Sequence, residues 1–343
     1  VTEWIAHYGL FLAKMATLAV LVLAVLAVTF RRRGGDSDRT RLRVEEWNAR
    51  YRARRRQLHL ATLDRKARRA AHKAFRREDK SRHRASPRAT AERVWVIDFH
   101  GDIKASGTQR LAEEVSLLLD AAEQGDEVVV RLESGGGLVH AYGLAAAELD
   151  RLRDAGLRTT VCVDKVAASG GYMMACCADR LQAAPFAVLG SIGVVAQLPN
   201  LHRLLKRHDI DVELLTAGRY KRTLTVFGEN TEEGREKFVE DLENTHALFK
   251  AFVAERRPAL DIEAIATGEI WYGRQAVENG LIDAVITSEA YLLERMREAR
   301  VFHVALEQRR GLAERLGAGV SQGVERGVQR LYEVLEASRW QRR

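Results

Sequence analysis

EVVVRLESGGGLVH, Glu127–His140, runs from an apolar segment through three glycines into the start of a helical pattern. A strand that passes to a helix through glycine is the joint of a crossover unit, in which parallel strands lie buried beneath helices. The flanking segments repeat it. VWVIDF (94–99) reads as a strand, with the helical TQRLAEEVSLLLDAAEQ before Glu127. The helical LVHAYGLAAAELDRLRDAG then leads to the strand TTVCVD (159–164). Strand, helix, strand, helix, strand at this spacing predicts an α/β domain with a buried parallel sheet. Farther along, RLQAAP, AVLGSIGVVAQL and VELLTAG read as strands, and PNLHRLLKRH and TEEGREKFVEDLENTHALFKAFVAERR as helices.

Composition supports a folded chain. Of 343 residues, 46% are hydrophobic, which is enough to fill a core and excludes a disordered protein. Cys162, Cys176 and Cys177 are odd in number and lack CxxC spacing, so they read as buried small residues rather than a disulfide framework or metal site. No metal or cofactor is expected. The three glycines are followed by no Lys-Ser/Thr, which excludes a P-loop, and GGG is not GxGxxG.

The net charge of +8 is unevenly spread. Between Arg31 and Thr90 there are 22 Lys/Arg against 7 Asp/Glu, so the remainder of the chain is acidic. Before this basic segment lies GLFLAKMATLAVLVLAVLAVTF, Gly9–Phe30, with one charge in 22 residues. As a helix it would be about 33 Å long, matching the hydrocarbon thickness of a bilayer. It lacks the charge-first order of a cleaved signal peptide and predicts an uncleaved, single-pass anchor in the cytoplasmic (inner) membrane. By the positive-inside rule, Arg31–Arg33 argue that the chain beyond them lies on the cytoplasmic side. Residues 1–30 are therefore assigned to the anchor segment, 31–92 to a basic helical or disordered linker, 93–305 to the main domain and 306–343 to an amphipathic tail. In the linker only Trp47, Tyr51 and Phe75 interleave with the charge, so a stalk near anionic lipid is expected rather than a nucleic-acid partner.

Two glycine-rich turns carry the candidate chemistry. In LESGGGLVH, backbone N–H groups can face a cleft with no side chain in the way, serving a phosphate or an oxyanion; a plain tight turn is the other reading. In AASGGYMMA, Ser169 stands where a strand gives way to a helix, either as a nucleophile or as an ordinary N-cap. A nucleophilic serine needs a base. No histidine lies between Ser169 and His202, and His140 reads as a helix-face residue. Lysine is the other option. A free lysine, with a pKa near about 10.4, is a poor base at neutral pH; burial or neighbouring cations make its neutral amine available. Lys221, in TAGRYKRT between Arg219 and Arg222, is the candidate.

ESGGG, DKVAASGGYMMA, GSIGVV, TAGRYKRTLTVFGENTEEGREKF and GEIWYGRQAVENGLID, in this order, resemble the signal peptide peptidase A family, in particular a membrane-anchored branch of it. The resemblance is strong from Val94 to Asp283. It implies a crotonase/Clp-protease-like fold of stacked ββα units and a serine-type endopeptidase. Its Ser-Lys dyad falls on Ser169 and Lys221, and its dyad-orienting hydroxyl on Ser191. The family's SPGG turn appears here as Ser134–Gly137, with Gly135 in the proline's place. Gly136 or Gly137 would supply one oxyanion donor, and the N–H of Gly170 the other. The resemblance further implies a peptide or polypeptide substrate such as signal-peptide remnants, and a homo-oligomer with sites shared between subunits. It usually puts the catalytic domain outside the cytoplasmic membrane, against the vote of Arg31–Arg33. The alternatives are a catalytically idle scaffold of the same fold and a crotonase-type acyl-thioester enzyme, which would use the glycine donors without a serine-lysine pair.

Overall fold

The computed structural model describes residues 14–15, 40–84 and 92–308. The apolar run Gly9–Phe30 and most of the tail fall outside these, and among the described residues no helix is long and apolar enough to cross a membrane. One compact unit spans Val44–Ala305.

Its frame is a mostly parallel sheet. β2 (Arg93–Gly101), β3 (Glu127–Ser134), β4 (Arg158–Val163) and β6 (Arg180–Ala183) run side by side, extended by β9 (Ala284–Val285) at one end. At the other end lie β10 (Arg300–Gln308) and then β1 (Thr40–Glu46). Helices cover both faces, which is why the strands read as apolar runs rather than alternating ones. On one face α3 (Thr108–Ala121) buries Leu111, Val115 and Leu118, at helical spacing, against Ile97, Phe99 and Val130. α4 (Val139–Asp154) adds Tyr142, Ala145, Leu149 and Leu152. On the other face Val94, Val96, Val129 and Cys162 meet Trp47 and Leu292. Burying each leucine stabilises the fold by about 1.5–3 kcal/mol. All three cysteines are free and buried, and burial pushes the Cys162 thiol up to about 12.

The sheet divides at the end of β3. Its residues Glu127–Arg131 pair with β4, but its last residue, Ser134, pairs with Ala167 of the short β5 (Val166–Ala168). β5 pairs in parallel with β7 (Val188–Gly190), and β7 pairs antiparallel with β8 (Ile270–Tyr272). This mixed α/β architecture fits a Clp-protease-like fold. β4 and β5 followed by α5 (Gly170–Ala175), and β6 and β7 followed by a long excursion and α7 (Glu232–Arg256), are ββα units.

Three expectations need correction. VELLTAG and most of AVLGSIGVVAQL form no strand beyond Val188–Gly190. Val195 is 90% and Leu215 88% exposed, and beyond Gly190 neither segment pairs with a strand. The only helix in that excursion is α6 (His202–Arg207). Second, the segment assigned to a basic helical or disordered linker also contributes a strand and packs on the main body. It opens as β1 and continues into α1 (Trp47–Ala61) and α2 (Arg65–Arg84). The Asn48 amide donates to the carbonyls of Met296 and Ala299, both at 2.9 Å, and its Oδ1 accepts from the Val301 N–H at 2.7 Å. Third, β10 runs through residue 305 to Gln308, so the strand crosses the expected boundary before the tail. Two further helices, α8 (Ile262–Ile265) and α9 (Gly273–Glu278), precede α10 (Ser288–Glu298).

Candidate active site

Three strand ends converge where the sheet divides. β3 ends at Ser134 and the glycine turn, β5 at Ala168 followed by Ser169, and β7 at Gly190 followed by Ser191. In the β5–β7 ladder Ala168 pairs with Gly190, so the two serines leave the sheet at adjacent positions. Carboxyl ends of parallel strands are where α/β folds place ligands.

Ser169 sits at the N-cap position of α5 yet caps nothing, and its hydroxyl has no hydrogen-bond partner among the described residues. Its backbone has φ 52° and ψ −122°, a conformation that costs a non-glycine residue about 1–3 kcal/mol to hold. The Ser169 N–H donates to the Gly190 carbonyl at 2.8 Å, and its own carbonyl accepts from Met173 at 3.0 Å, which hold it there. Ser191 is also left-handed, with φ 49°. Its N–H donates to the Glu269 carbonyl at 2.7 Å, and Nε2–H of His246 on α7 donates to the next carbonyl, Ile192, at 3.1 Å.

The glycine turn lies against the serine turn. Gly136 has φ 88°, and a Cβ there would come within 2.7 Å of the Ala168 carbonyl, the Gly170 nitrogen and the Ser169 Cβ. Its N–H donates to Ser134 Oγ at 3.1 Å. The Tyr142 hydroxyl donates to the Asp102 carbonyl at 2.7 Å, so in the 2.5 Å contact between Ser134 Oγ and Tyr142 Oη the serine is the donor. A relay thus runs from the Gly136 amide through Ser134 and Tyr142 to Asp102. Burial raises the Tyr142 phenol above its usual range, so it stays protonated and a donor. The ring of Tyr142 also lies under Gly170, where a Cβ would meet it at 2.4 Å. One tyrosine therefore supports both glycine turns. The N–H groups of Gly137 and Gly170 are left without partners among the described residues.

Lys221 lies elsewhere in the chain's path. It is exposed, on the excursion between β7 and α7, and no described hydrogen bond joins it to Ser169 or Ser191. Its neighbours are held against α7: Arg219 pairs with Glu233 at 2.7 Å, and Lys237 lies 5.7 Å from the Tyr220 ring centroid. Ser169, Ser191, Gly136 and Gly170 lie on adjoining turns, with Gly137 next in the glycine turn. A polar groove lined by Glu127, Arg158, Tyr291 and Arg295 lies at the starts of β3 and β4, the opposite end of those strands. Among the described residues no cluster of His, Cys, Asp or Glu could hold a metal ion.

The structure adds Tyr142, Asp102 and the hydrogen-bonding role of Ser134 to the residues legible in the sequence. The available signal was a tyrosine on the apolar stripe of α4, since a buried phenol needs a partner.

A strained serine beside free backbone amides is suited to acyl transfer. The profile of the family described as "Peptidase family S49" matches residues 151–302, and that of "Peptidase family S49 N-terminal" matches residues 3–149. The chain belongs to peptidase family S49 and is a peptidase. Among its relatives, "Probable protease SohB" of Haemophilus influenzae is 47% identical over 322 residues, 90% of this chain and 91% of that one. The protein of the same name in Buchnera aphidicola subsp. Schlechtendalia chinensis is 43% identical over 304 residues, 85% of this chain and all of the other. That of Buchnera aphidicola subsp. Acyrthosiphon pisum is 49% identical over 241 residues, 70% of this chain and 72% of that one. These likenesses put the chain in the SohB branch of the family.

Proposed function

We propose that this chain is a membrane-anchored serine endopeptidase working through Ser169 and Lys221, on peptides or membrane-associated polypeptides such as signal-peptide remnants. The observation that carries the nucleophile is the Ser169 hydroxyl, uncommitted at an N-cap position on a strained backbone. The neutral amine of Lys221 takes the hydroxyl proton as Ser169 Oγ attacks the scissile carbonyl. The tetrahedral oxyanion is held by backbone N–H groups, and Lys221 gives the proton to the leaving amine. Water then repeats the sequence on the acyl-enzyme. Ser191 orients the lysine. Of the two candidate glycines, Gly137 is favoured as the donor opposite Gly170, because the Gly136 amide is already bonded to Ser134. One oxyanion donor is worth about 2.7–4 kcal/mol of barrier.

The dyad is read as composite, with the lysine of one subunit serving the serine of the next in a homo-oligomer. Support comes from the exposure of Lys221 and from apolar side chains left in solvent on the same excursion, among them Val195, Leu214, Leu215 and Phe227. Such unpartnered apolar surface marks an interface. The anchor is assigned to Gly9–Phe30, on sequence alone, in the bacterial cytoplasmic membrane.

The test is casein or peptide hydrolysis by the full chain in detergent, comparing wild type with Ser169→Ala and Lys221→Ala. Loss in both, with oligomer size unchanged, is expected. Activity retained in either variant overturns the dyad, and an inactive wild type shifts the reading to a scaffold.

A further inference from the structure

The basic linker forms an antiparallel helical hairpin. Arg56 of α1 grips Glu78 at 3.2 Å and Asp79 at 2.8 Å on α2, and the His59 ring meets that of Phe75 edge-on at 6.1 Å. Arg68 closes the joint by donating to the Leu60 carbonyl at 3.0 Å. Ala67, Ala71 and Phe75, spaced by four, are the half-buried side of α2. At about 100° per residue the opposite side collects Arg65, Arg69, Lys73, Arg76 and Lys80, all exposed. Among the described residues none of these five has a carboxylate partner. The only two acidic residues of α2 are both held by Arg56. The result is a cationic stripe about 22 Å long.

Solvent alone would not require every acid of α2 to be gathered onto the packed side, so the stripe fits an anionic surface. Single-stranded nucleic acid would be expected to engage aromatic side chains as stacking platforms, and the hairpin offers none. Trp47 is buried, stacked 5.3 Å from His303, with the Arg131 guanidinium 5.1 Å from its ring centroid. The Tyr51 hydroxyl bonds Glu289, and Phe75 is covered by Arg56 at 4.9 Å. All three aromatic residues are committed inside the fold. The hairpin also follows the 22-residue apolar run Gly9–Phe30 closely in the chain.

We propose that the outer face of α2 lies on the anionic headgroups of a bilayer, so that the hairpin, fastened to the sheet through Asn48, sets how the peptidase body stands on the membrane. The inference is independent of the identity of the catalytic residues.

The experiment uses the full chain in lipid nanodiscs of phosphatidylcholine alone or mixed with phosphatidylglycerol. A donor dye on Ala70→Cys reports energy transfer to headgroup-labelled lipid; the native cysteines are buried, so labelling is selective. Transfer should be higher on the anionic discs, and that excess should be lost near about 1 M salt. Removing charge in R65Q/R69Q/R76Q/K80Q should weaken the contact roughly fivefold per charge. Peptide hydrolysis by that variant in detergent should match wild type, which separates loss of contact from loss of fold. Equal transfer on both discs, no change on neutralisation, or no association with either disc overturns the proposal. So does displacement of the arm from anionic discs by transfer RNA at physiological salt, which would assign the face to nucleic acid.

Discussion

The hydroxyl of Tyr142 stands 2.5 Å from that of Ser134, and through it the amide of Gly136 is tied to the carbonyl of Asp102. The glycine turn is thus braced by a side chain from the helix that follows it. Tyr142→Phe should leave Ser134 and the Asp102 carbonyl short of a partner, at a cost of about 1–3 kcal/mol of stability. Because the turn rather than the substrate cleft is loosened, kcat should fall on the order of tenfold with KM little changed. Steady-state kinetics beside thermal unfolding checks this, and a rise in KM alone would contradict it.

The two flexible positions of the turn should respond in opposite ways. Gly136→Ala forces a Cβ against the Ala168 carbonyl and Gly170 nitrogen at a positive φ, and should abolish hydrolysis. Nothing lies within 4 Å of a Cβ on Gly135. Gly135→Pro should keep activity and add about 0.4–1 kcal/mol of stability by narrowing the unfolded ensemble. Denaturant midpoints of both variants decide.

If the dyad is shared between subunits, inactive Ser169→Ala and Lys221→Ala chains should rescue each other. Dissociated, mixed in equal amounts and reassembled at random, they should recover about a quarter of wild-type activity, because each site draws one intact residue from each neighbour. A dyad within one chain would recover none.

Asn48 makes three hydrogen bonds to backbone groups of the main body. Asn48→Ala should cost on the order of 2–4 kcal/mol. For the same reason a fragment starting at Arg93 should melt below the full chain, measurable by calorimetry.

Asp98 is a half-buried carboxylate. Burial by itself would raise its pKa, but hydrogen bonds from His303 and Arg131, with the Arg131 charge 2.6 Å away, hold it well below the usual range. A depressed carboxylate contributes stability that is full above its unfolded value near about 3.9 and is lost as pH falls towards the folded value. Wild type should therefore lose stability below about pH 4 more steeply than Asp98→Asn, as seen in acid-unfolding curves.

The parallel sheet is legible in the sequence because its strands are short apolar runs between helices of the right length. Glu127–Ser134 is bounded correctly, since its glycines terminate it. The 212–218 run reads as a strand and is not one, because apolar composition cannot tell a strand from a stretch that lacks a ladder partner. β1 and β10 escape notice for the converse reason: charged residues disguise the edge strand β1 and bracket β10 beside it. In the site, glycine and serine turns announce themselves by composition. Tyr142 does not, because its phenol meets Ser134 only through the folding of α4 back under the turn.

The φ 52°, ψ −122° of Ser169 is the geometry of the first central residue of a type II′ turn, a place where glycine is the natural occupant. Left to selection for thermal robustness alone, this position would drift to glycine, and Ser169→Gly should be an inactive protein tougher than its parent. If Ser169 is the nucleophile, any library screened only for survival on heating will enrich dead enzymes at residue 169, and a serine will persist there only where hydrolysis itself is selected.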